Sequence, residues 1–224
     1  MVLPFLATAQ TFEWGLEAGI ATGRHKVRSR GNIGEGFTVS RDMNFRAGIP
    51  MHLSLSRQVK LHSGVFYNTK GSSKPIAGLL PGNGGVLHYG CAELPLILTY
   101  EYKTKGSQRL FIGAGPYAGI GIHGVKRGKD QRPLMSYLDT KERMRWGNDL
   151  GNDMQRMQWG VQAQVGCITA SGILMKIMFQ SAADAAPEEN KRAQQGIIEV
   201  SSLTYTTLTV GYIFRHKTAK DNGK

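Results

Sequence analysis

The chain has 224 residues, a formal net charge of +12 at pH 7 and a pI near 9.9. No apolar run approaches the roughly 18–20 residues of a membrane-spanning helix, which excludes helical spans only. The positive charge is compatible with anionic partners such as phosphate groups. The two cysteines, Cys91 and Cys167, are too few for a disulfide framework and are predicted to be free thiols.

The first nine residues predict the remnant of a signal peptide. Residues 1–9 form a short apolar stretch that ends in Ala7-Thr8-Ala9, a pattern typical of signal-peptide cleavage sites. A basic n-region and a longer apolar region are missing, so we expect Met1 to lie inside a longer leader and the mature protein to begin at Gln10. The alternative is a chance apolar N-terminus on a protein that is not exported.

From Phe12 onward, apolar and polar residues alternate in eight segments, which predicts eight β-strands with one apolar face each. The segments lie near residues 12–20, 45–55, 59–68, 93–102, 110–123, 156–165, 173–180 and 207–215. Their connections alternate in length. Those at 57–58, 103–108 and 169–172 are short, and those at 25–44, 69–86, 124–152 and 182–201 are long and polar. The best helix candidate, 181–195, contains Pro187 and is weak.

Long polar loops are unusual inside a compact soluble domain but ordinary when every second connection lies on one side of a membrane. The pattern therefore predicts an all-β fold, an eight-stranded antiparallel up-and-down transmembrane β-barrel with short periplasmic turns and long extracellular loops. The barrel domain spans residues 10–215, and a polar tail covers 216–224. The predicted location is the cell outer membrane.

The two faces of the strands differ in a way that favours a membrane barrel. The apolar faces carry bulky residues such as Trp14, Phe45 and Trp159, whereas the opposite faces mix glycine with charges of both signs. Eight strands leave only just enough room for side chains inside, where charges must pair. The predicted lumen charge network comprises Glu13, Glu17, Arg46, Lys60, Glu93, Glu101, Arg156, Lys176 and Arg215. The predicted aromatic girdle comprises Tyr100, Tyr102, Tyr212 and Phe214.

Residues 109–124 contain a literal G-x-G-x-x-G at Gly119, Gly121 and Gly124. A dinucleotide site also needs an amphipathic helix directly afterwards, and the following residues are polar with no apolar stripe. The glycine spacing instead predicts one bare strand face. Gly113, Gly115, Gly119 and Gly121 are expected to face the lumen, and Leu110, Ile112, Ile120 and Ile122 are expected to face lipid. Pro116 lacks a backbone donor, so we expect a bulge or locally broken pairing there.

Histidines and basic residues are the candidates for metal, catalytic and anion-binding sites. His52 and His62 fall on inward faces of adjacent strands, but no third ligand is indicated, so no metal or cofactor is predicted. His123 has no serine and acid placed beside it, which disfavours an enzyme. The basic residues are not interleaved with aromatic residues on one face, which disfavours nucleic-acid binding. The candidate loop contacts for lipopolysaccharide phosphates, with merely solvated loops as the alternative, are Lys26, Arg28, Arg30, Lys126, Arg127 and Lys129.

Three stretches resemble the PorT-like outer-membrane β-barrel family of Gram-negative bacteria. They are "AELPLILTYEY" at 92–102, "FIGAGPYAGIGI" at 111–122 and the closing "LTVGYIFR" at 208–215. The resemblance covers essentially all of the chain after Gln10, and the tail after the last strand is a departure from the pattern. It implies an integral outer-membrane protein that the barrel assembly machinery inserts. The family's named member is tied to protein secretion, and we do not predict that role for this chain.

These observations together favour a non-catalytic protein. It would act as a membrane scaffold or as a surface or secretion-partner binding protein through its long loops, in contact with outer-membrane lipid and an unknown protein partner. A wide pore is not expected, because eight strands enclose a lumen filled by side chains. The alternatives are a small-ligand-binding barrel, either in the lumen or as a soluble lipocalin-like protein, and a lipid-modifying outer-membrane enzyme.

Overall fold

A computed structural model of the chain describes residues 11–28, 42–76, 85–104, 106–129, 139–147, 155–182 and 199–214, which form ten β-strands. The strands are β1 Phe12–Arg28, β2 Asp42–Ser54, β3 Val59–Ile76, β4 Gly85–Pro95, β5 Ile97–Lys103, β6 Arg109–Lys129, β7 Asp139–Arg143, β8 Met157–Ile168, β9 Ile173–Ala182 and β10 Glu199–Phe214. Within these ranges no helix is long and apolar enough to cross a membrane. The predicted signal-peptide remnant and polar tail lie outside the described residues.

The strands close into a barrel. Each pairs antiparallel with its neighbours in the order β1, β2, β3, β4 with β5, β6, β8, β9 and β10, and β10 pairs with β1 to complete the ring. β4 and β5 are two halves of one barrel strand, since both pair with β3 and with β6. The prediction of an eight-stranded antiparallel up-and-down barrel is confirmed.

Three tight turns lie at one end of the barrel, which we call the short-turn end. They occupy residues 55–58, 104–108 (described apart from residue 105) and 169–172, close to the predicted positions. Backbone hydrogen bonds close them, from Leu55 N to Val59 O at 2.9 Å and from Thr169 N to Ile173 O at 2.9 Å. Gly172 adopts a φ of 99°, a conformation that side-chain-bearing residues rarely adopt. The C-terminal ends of β1, β3, β6 and β9 and the N-terminal ends of β2, β4, β8 and β10 lie at the opposite end, which we call the long-loop end.

The barrel is apolar outside and polar inside, the inverse of a soluble protein. Ile112 is 64% exposed and Trp159 58%, whereas Arg46 is 1% exposed and Glu93 2%. Successive residues of a strand point to opposite faces, so the alternating sequence puts one set outside and the other inside. The predicted lipid-facing residues of β6 are all exposed: Leu110, Ile112, Ile120 and Ile122.

Several strands are longer than the alternating pattern indicates. β1 continues through Arg28 and β6 through Lys129, into regions that were predicted to be loops. β3 likewise extends to Ile76, and β10 starts at Glu199. Strand pairing is made by the backbone and persists where the side chains no longer alternate. The unpredicted strand β7, of sequence "DTKER", pairs with the outer part of β6.

Pro116 lies opposite an interruption of the neighbouring strand. Leu96, which separates β4 from β5, donates its N–H to the Pro116 carbonyl at 2.9 Å, and Pro116 has no N–H to return. Pairing resumes on both sides with the same register, from Pro95 with Tyr117 to Leu98 with Ala114. The expected broken pairing is therefore present, but the bulge expected as the alternative is absent there. The register shift between these strands instead falls at Gly90/Cys91.

Candidate functional site in the barrel lumen

Four charged residues meet inside the short-turn end of the barrel, and we call them the turn-end cluster: Glu13, Lys60, Glu101 and Arg109. Lys60 Nζ lies 3.0 Å from a carboxylate oxygen of both Glu13 and Glu101. Arg109 Nη1 lies 2.6 Å from Glu13 and 3.5 Å from Glu101. Each cation therefore bridges both carboxylates, and the four formal charges sum to zero.

A second group, the central cluster, contains Glu17, Arg46, Lys70, Glu93 and Lys176. Glu93 accepts from Arg46 at 3.0 Å and lies 2.6 Å from Lys70. Lys176 Nζ lies 2.7 Å from Glu17, and the Arg46 guanidinium packs 4.0 Å from the ring centroid of Phe66. Gln180 Nε2 donates at 2.9 Å to the Glu93 oxygen that also accepts from Arg46. Each carboxylate is thus held by at least two groups from other strands.

The structure brings seven predicted network residues into these two clusters: Glu13, Glu17, Arg46, Lys60, Glu93, Glu101 and Lys176. Arg156 does not join them, because it is exposed just before β8 and its Nε donates to the Gly121 carbonyl at 3.4 Å. Arg215 lies outside the described residues. Two members of the clusters, Lys70 and Arg109, are not among the predicted network residues. Both have the inward parity of their strands, so extending the alternation by one or two residues would have found them.

Between the clusters lies a pair of stacked histidines from neighbouring strands. His52 and His62 are paired in register, and their ring centroids are 3.6 Å apart with 6° between the ring planes. His62 Nε2 lies 3.3 Å from Glu101 Oε1, and His62 Nδ1 lies 3.0 Å from Gln164 Nε2. Ligand atoms of His52, His62 and Glu101 all lie within 4.8 Å of one another. Glu101 is not predicted as a third ligand from the sequence, because it is not a register partner of either histidine.

The long-loop end of the lumen is closed by a mouth cluster of Tyr89, Tyr117, Met144, Ala182 and Tyr205, against which Trp146 packs. Met144 and Trp146 follow β7. A β-carbon on Gly124 would meet the Met144 side chain, and one on Gly121 would meet the Trp146 ring. The last two glycines of the G-x-G-x-x-G pattern thus accommodate residues that cover the barrel mouth.

An apolar cluster of Phe111, Ile168, Leu174 and Ile213 fills the remaining part of the short-turn end. Together with the turn-end cluster it closes this end of the lumen. His123 lies outside the filled lumen, exposed and 3.3 Å from the Tyr67 hydroxyl. The described lumen residues thus bind one another, in an arrangement that stabilises a closed barrel.

The residues predicted to contact lipopolysaccharide fall on strands rather than loops wherever the structure describes them. Lys26 and Arg28 belong to the end of β1, and Lys126, Arg127 and Lys129 belong to the end of β6. Arg30 lies outside the described residues. The loop assignment of the five strand residues is therefore corrected: they lie at the long-loop ends of barrel strands.

The sequence of residues 8–180 matches the family model described as the outer membrane protein beta-barrel domain. The chain belongs to this family. It is an outer-membrane β-barrel protein, and its location is the outer membrane. No curated protein matches the sequence of this outer-membrane barrel.

Three solved structures are similar to this outer-membrane barrel, each at low sequence identity to this chain and with high coverage of it. Neisserial surface protein A is 11% identical, with a TM-score of 0.43 over 92% of this chain and 100% of that one. OprG from Pseudomonas aeruginosa is 13% identical, with a TM-score of 0.45 over 92% and 98%. Ail of Yersinia pestis, solved in complex with the heparin analogue sucrose octasulfate, is 9% identical, with a TM-score of 0.43 over 91% and 99%.

Proposed function

We propose that this outer-membrane barrel is a non-catalytic membrane scaffold that binds a surface or secretion partner through its long extracellular loops. The observation that supports this most is the filled lumen. Paired charges occupy its centre and its short-turn end, and aromatic residues occupy its mouth. A transported solute would have to displace buried ion pairs, which is costly. Activity is therefore assigned to the loop-bearing end.

The finer proposal places the chain in the PorT-like branch of the family, in a Gram-negative outer membrane. Its supports are the three stretches at 92–102, 111–122 and 208–215 and the Ala7-Thr8-Ala9 pattern near the start. The exposed apolar belt provides the surface that outer-membrane lipid would cover. The basic ends of β1 and β6 would contact lipopolysaccharide phosphates, and the barrel assembly machinery would read the closing strand.

A pair of segment replacements tests the proposal. Residues 29–41, between β1 and β2, are replaced by a Gly-Ser segment of equal length, and the matched control replaces the short turn 55–58 in the same way. Both variants should keep the heat-modifiable gel mobility of a folded barrel. Photo-crosslinking in native membranes should lose a specific partner only in the first variant. The same cross-links in both variants would contradict the role of this loop.

A transport measurement tests the other half of the proposal. Liposomes that contain the purified barrel should show no swelling with small sugars above that of protein-free liposomes, because the lumen is filled. Swelling at a rate comparable to that of a porin in matched liposomes would overturn the scaffold proposal and favour a channel.

A further inference from the structure

We propose that His52, His62 and Glu101 form a binding site for a divalent late first-row transition-metal ion, of the zinc class, inside the barrel. The site lies near the short-turn end, away from the loops of the proposed partner-binding function, and does not depend on that function. Two imidazoles and one carboxylate are a ligand set that such ions bind in proteins.

The three ligand atoms lie near one another, and binding one ion requires the two stacked imidazoles to rotate until their in-plane lone pairs meet at it. One atom from each side chain lies within 4.8 Å of the others, and all three residues are buried. In a tetrahedral zinc site, ligand atoms about 2 Å from the ion lie about 3.3 Å apart, so the side chains need to close by up to about 1.5 Å. The pairing of His52 with His62 across β2 and β3 holds the two imidazoles face to face.

Two of the three ligands, His62 and Glu101, have a neighbour that orients them. Gln164 Nε2 lies 3.0 Å from His62 Nδ1, which directs the opposite ring nitrogen, Nε2, toward Glu101. A half-turn of the Gln164 amide would let its oxygen accept a hydrogen bond from Nδ1–H and leave Nε2 deprotonated and free to bind an ion. Lys60 lies 3.0 Å from Glu101 Oε2, and Oε1 is the oxygen that faces His62. Lys60 thus holds Oε2, and Oε1 becomes available to an ion once His62 Nε2 no longer carries the proton that it shares with this oxygen.

A second, independent observation points to a ligand. His52 is 2% exposed, and its Nδ1 has no hydrogen-bond partner. A buried polar atom without a partner is costly and is rare in folded proteins. A bound ion gives the His52 imidazole a partner. Glu13, whose side chain is 14% exposed, is the most exposed group of the turn-end cluster.

The surrounding charges indicate which ions fit. Lys60 and Arg109 neutralise Glu13 and Glu101, so a bound divalent ion adds net positive charge to the site. This disfavours Mg²⁺ and Ca²⁺, which depend on several anionic or neutral oxygens, and favours ions that bind neutral imidazole strongly. It also means that Lys60 opposes binding, so that removing its charge should strengthen the affinity.

The test is zinc titration of the folded full-length barrel in detergent, without a histidine tag and after chelator treatment, by isothermal calorimetry. Wild type should bind one Zn²⁺. His52→Gln and His62→Gln should each weaken binding at least tenfold, whereas His123→Gln, at an exposed histidine, should leave it unchanged. Lys60→Gln should tighten binding several-fold. Heat-modifiable mobility confirms that each variant is folded.

Absence of zinc binding to wild type, or equal binding by the wild type and the two lumen variants, would overturn the site. If the histidine variants fail to fold, X-ray absorption of the zinc-loaded wild type decides the question. Two imidazole ligands with one carboxylate support the site, and a shell of oxygen ligands alone refutes it.

Discussion

The indole ring of Trp146 fills the space where a side chain at Gly121 would lie. Trp146 also packs edge-on against Tyr89, with ring centroids 5.8 Å apart, so it joins the segment after β7 to the mouth cluster. The absence of a side chain at Gly121 is therefore a packing requirement of the barrel mouth.

Gly121→Ala should destabilise the folded barrel by about 1–3 kcal/mol, the usual cost of overpacking. Its matched control is Gly119→Ala on the same inward face, where the nearest atom to an added β-carbon is Glu93 Cγ at an ordinary 3.4 Å. Urea unfolding in detergent, followed by tryptophan fluorescence, measures both. Equal stabilities of the two variants would contradict the placement of Trp146.

Glu93→Gln should cost about 3–5 kcal/mol, because it leaves Arg46 and Lys70 buried with too little negative charge. Adding Lys70→Met to this variant should recover part of the loss, since the double variant removes one of the uncompensated cations. Urea titration of the wild type, both single variants and the double variant gives the coupling free energy. Additive losses would show that the two residues do not interact.

Ile177→Arg should cost about 2–4 kcal/mol, the penalty of a cation near the bilayer midplane. Ile177 lies on the exposed face of β9 between Phe179 and Ile173, and Ile173 pairs with Tyr212, a residue of the predicted girdle. Ile120→Arg, beyond the level of Trp159 and nearer the long-loop end, should cost less because the penalty falls toward the interface. Reversible unfolding from lipid vesicles measures both costs. A silent Ile177→Arg variant would contradict the assignment of the outer face.

The two free cysteines should differ in reactivity. Cys91 is fully buried in the lumen, and Cys167 is partly buried between the outward-facing Leu110 and Met175. In a Cys167→Ser variant, a water-soluble maleimide should label Cys91 only after unfolding. In the converse variant, Cys91→Ser, an apolar maleimide should label Cys167 in the folded barrel. Rapid labelling of Cys91 in the folded protein would show that the lumen is open to water.

The faces of the strands were predictable from the sequence because residue parity alone determines them. Leu110 and Ile112 are outside, and Glu93 and Arg46 are inside, as the alternation predicts. The strand ends were not predictable in this way, because beyond the lipid both faces are polar while the backbone ladder continues, as in β6 up to Lys129. Arg156 was misplaced for a related reason: its parity continues that of β8, but it precedes the strand.

The candidate site was less predictable than the fold. Parity places His52 and His62 together, since a shared face and a short turn determine their register. The distance between Glu101 and the two histidines depends on the curvature of the closed barrel and on the length of the Glu101 side chain. The alternation of apolar and polar residues in the sequence reports on neither. The same holds for Trp146, which reaches Gly121 from a segment with no alternating pattern.

The joint between β1 and β10 runs from Trp14 with Phe214 to Arg28 with Glu199, and it unites the two ends of the described chain. A chain without β10 would expose two unpaired strand edges to the lipid hydrocarbon, and each backbone amide or carbonyl without a hydrogen-bond partner there costs several kcal/mol. An incomplete barrel is therefore not stable in the bilayer. Stable insertion requires β10 to be present and paired with β1, so a copy that lacks β10 should not persist in the membrane.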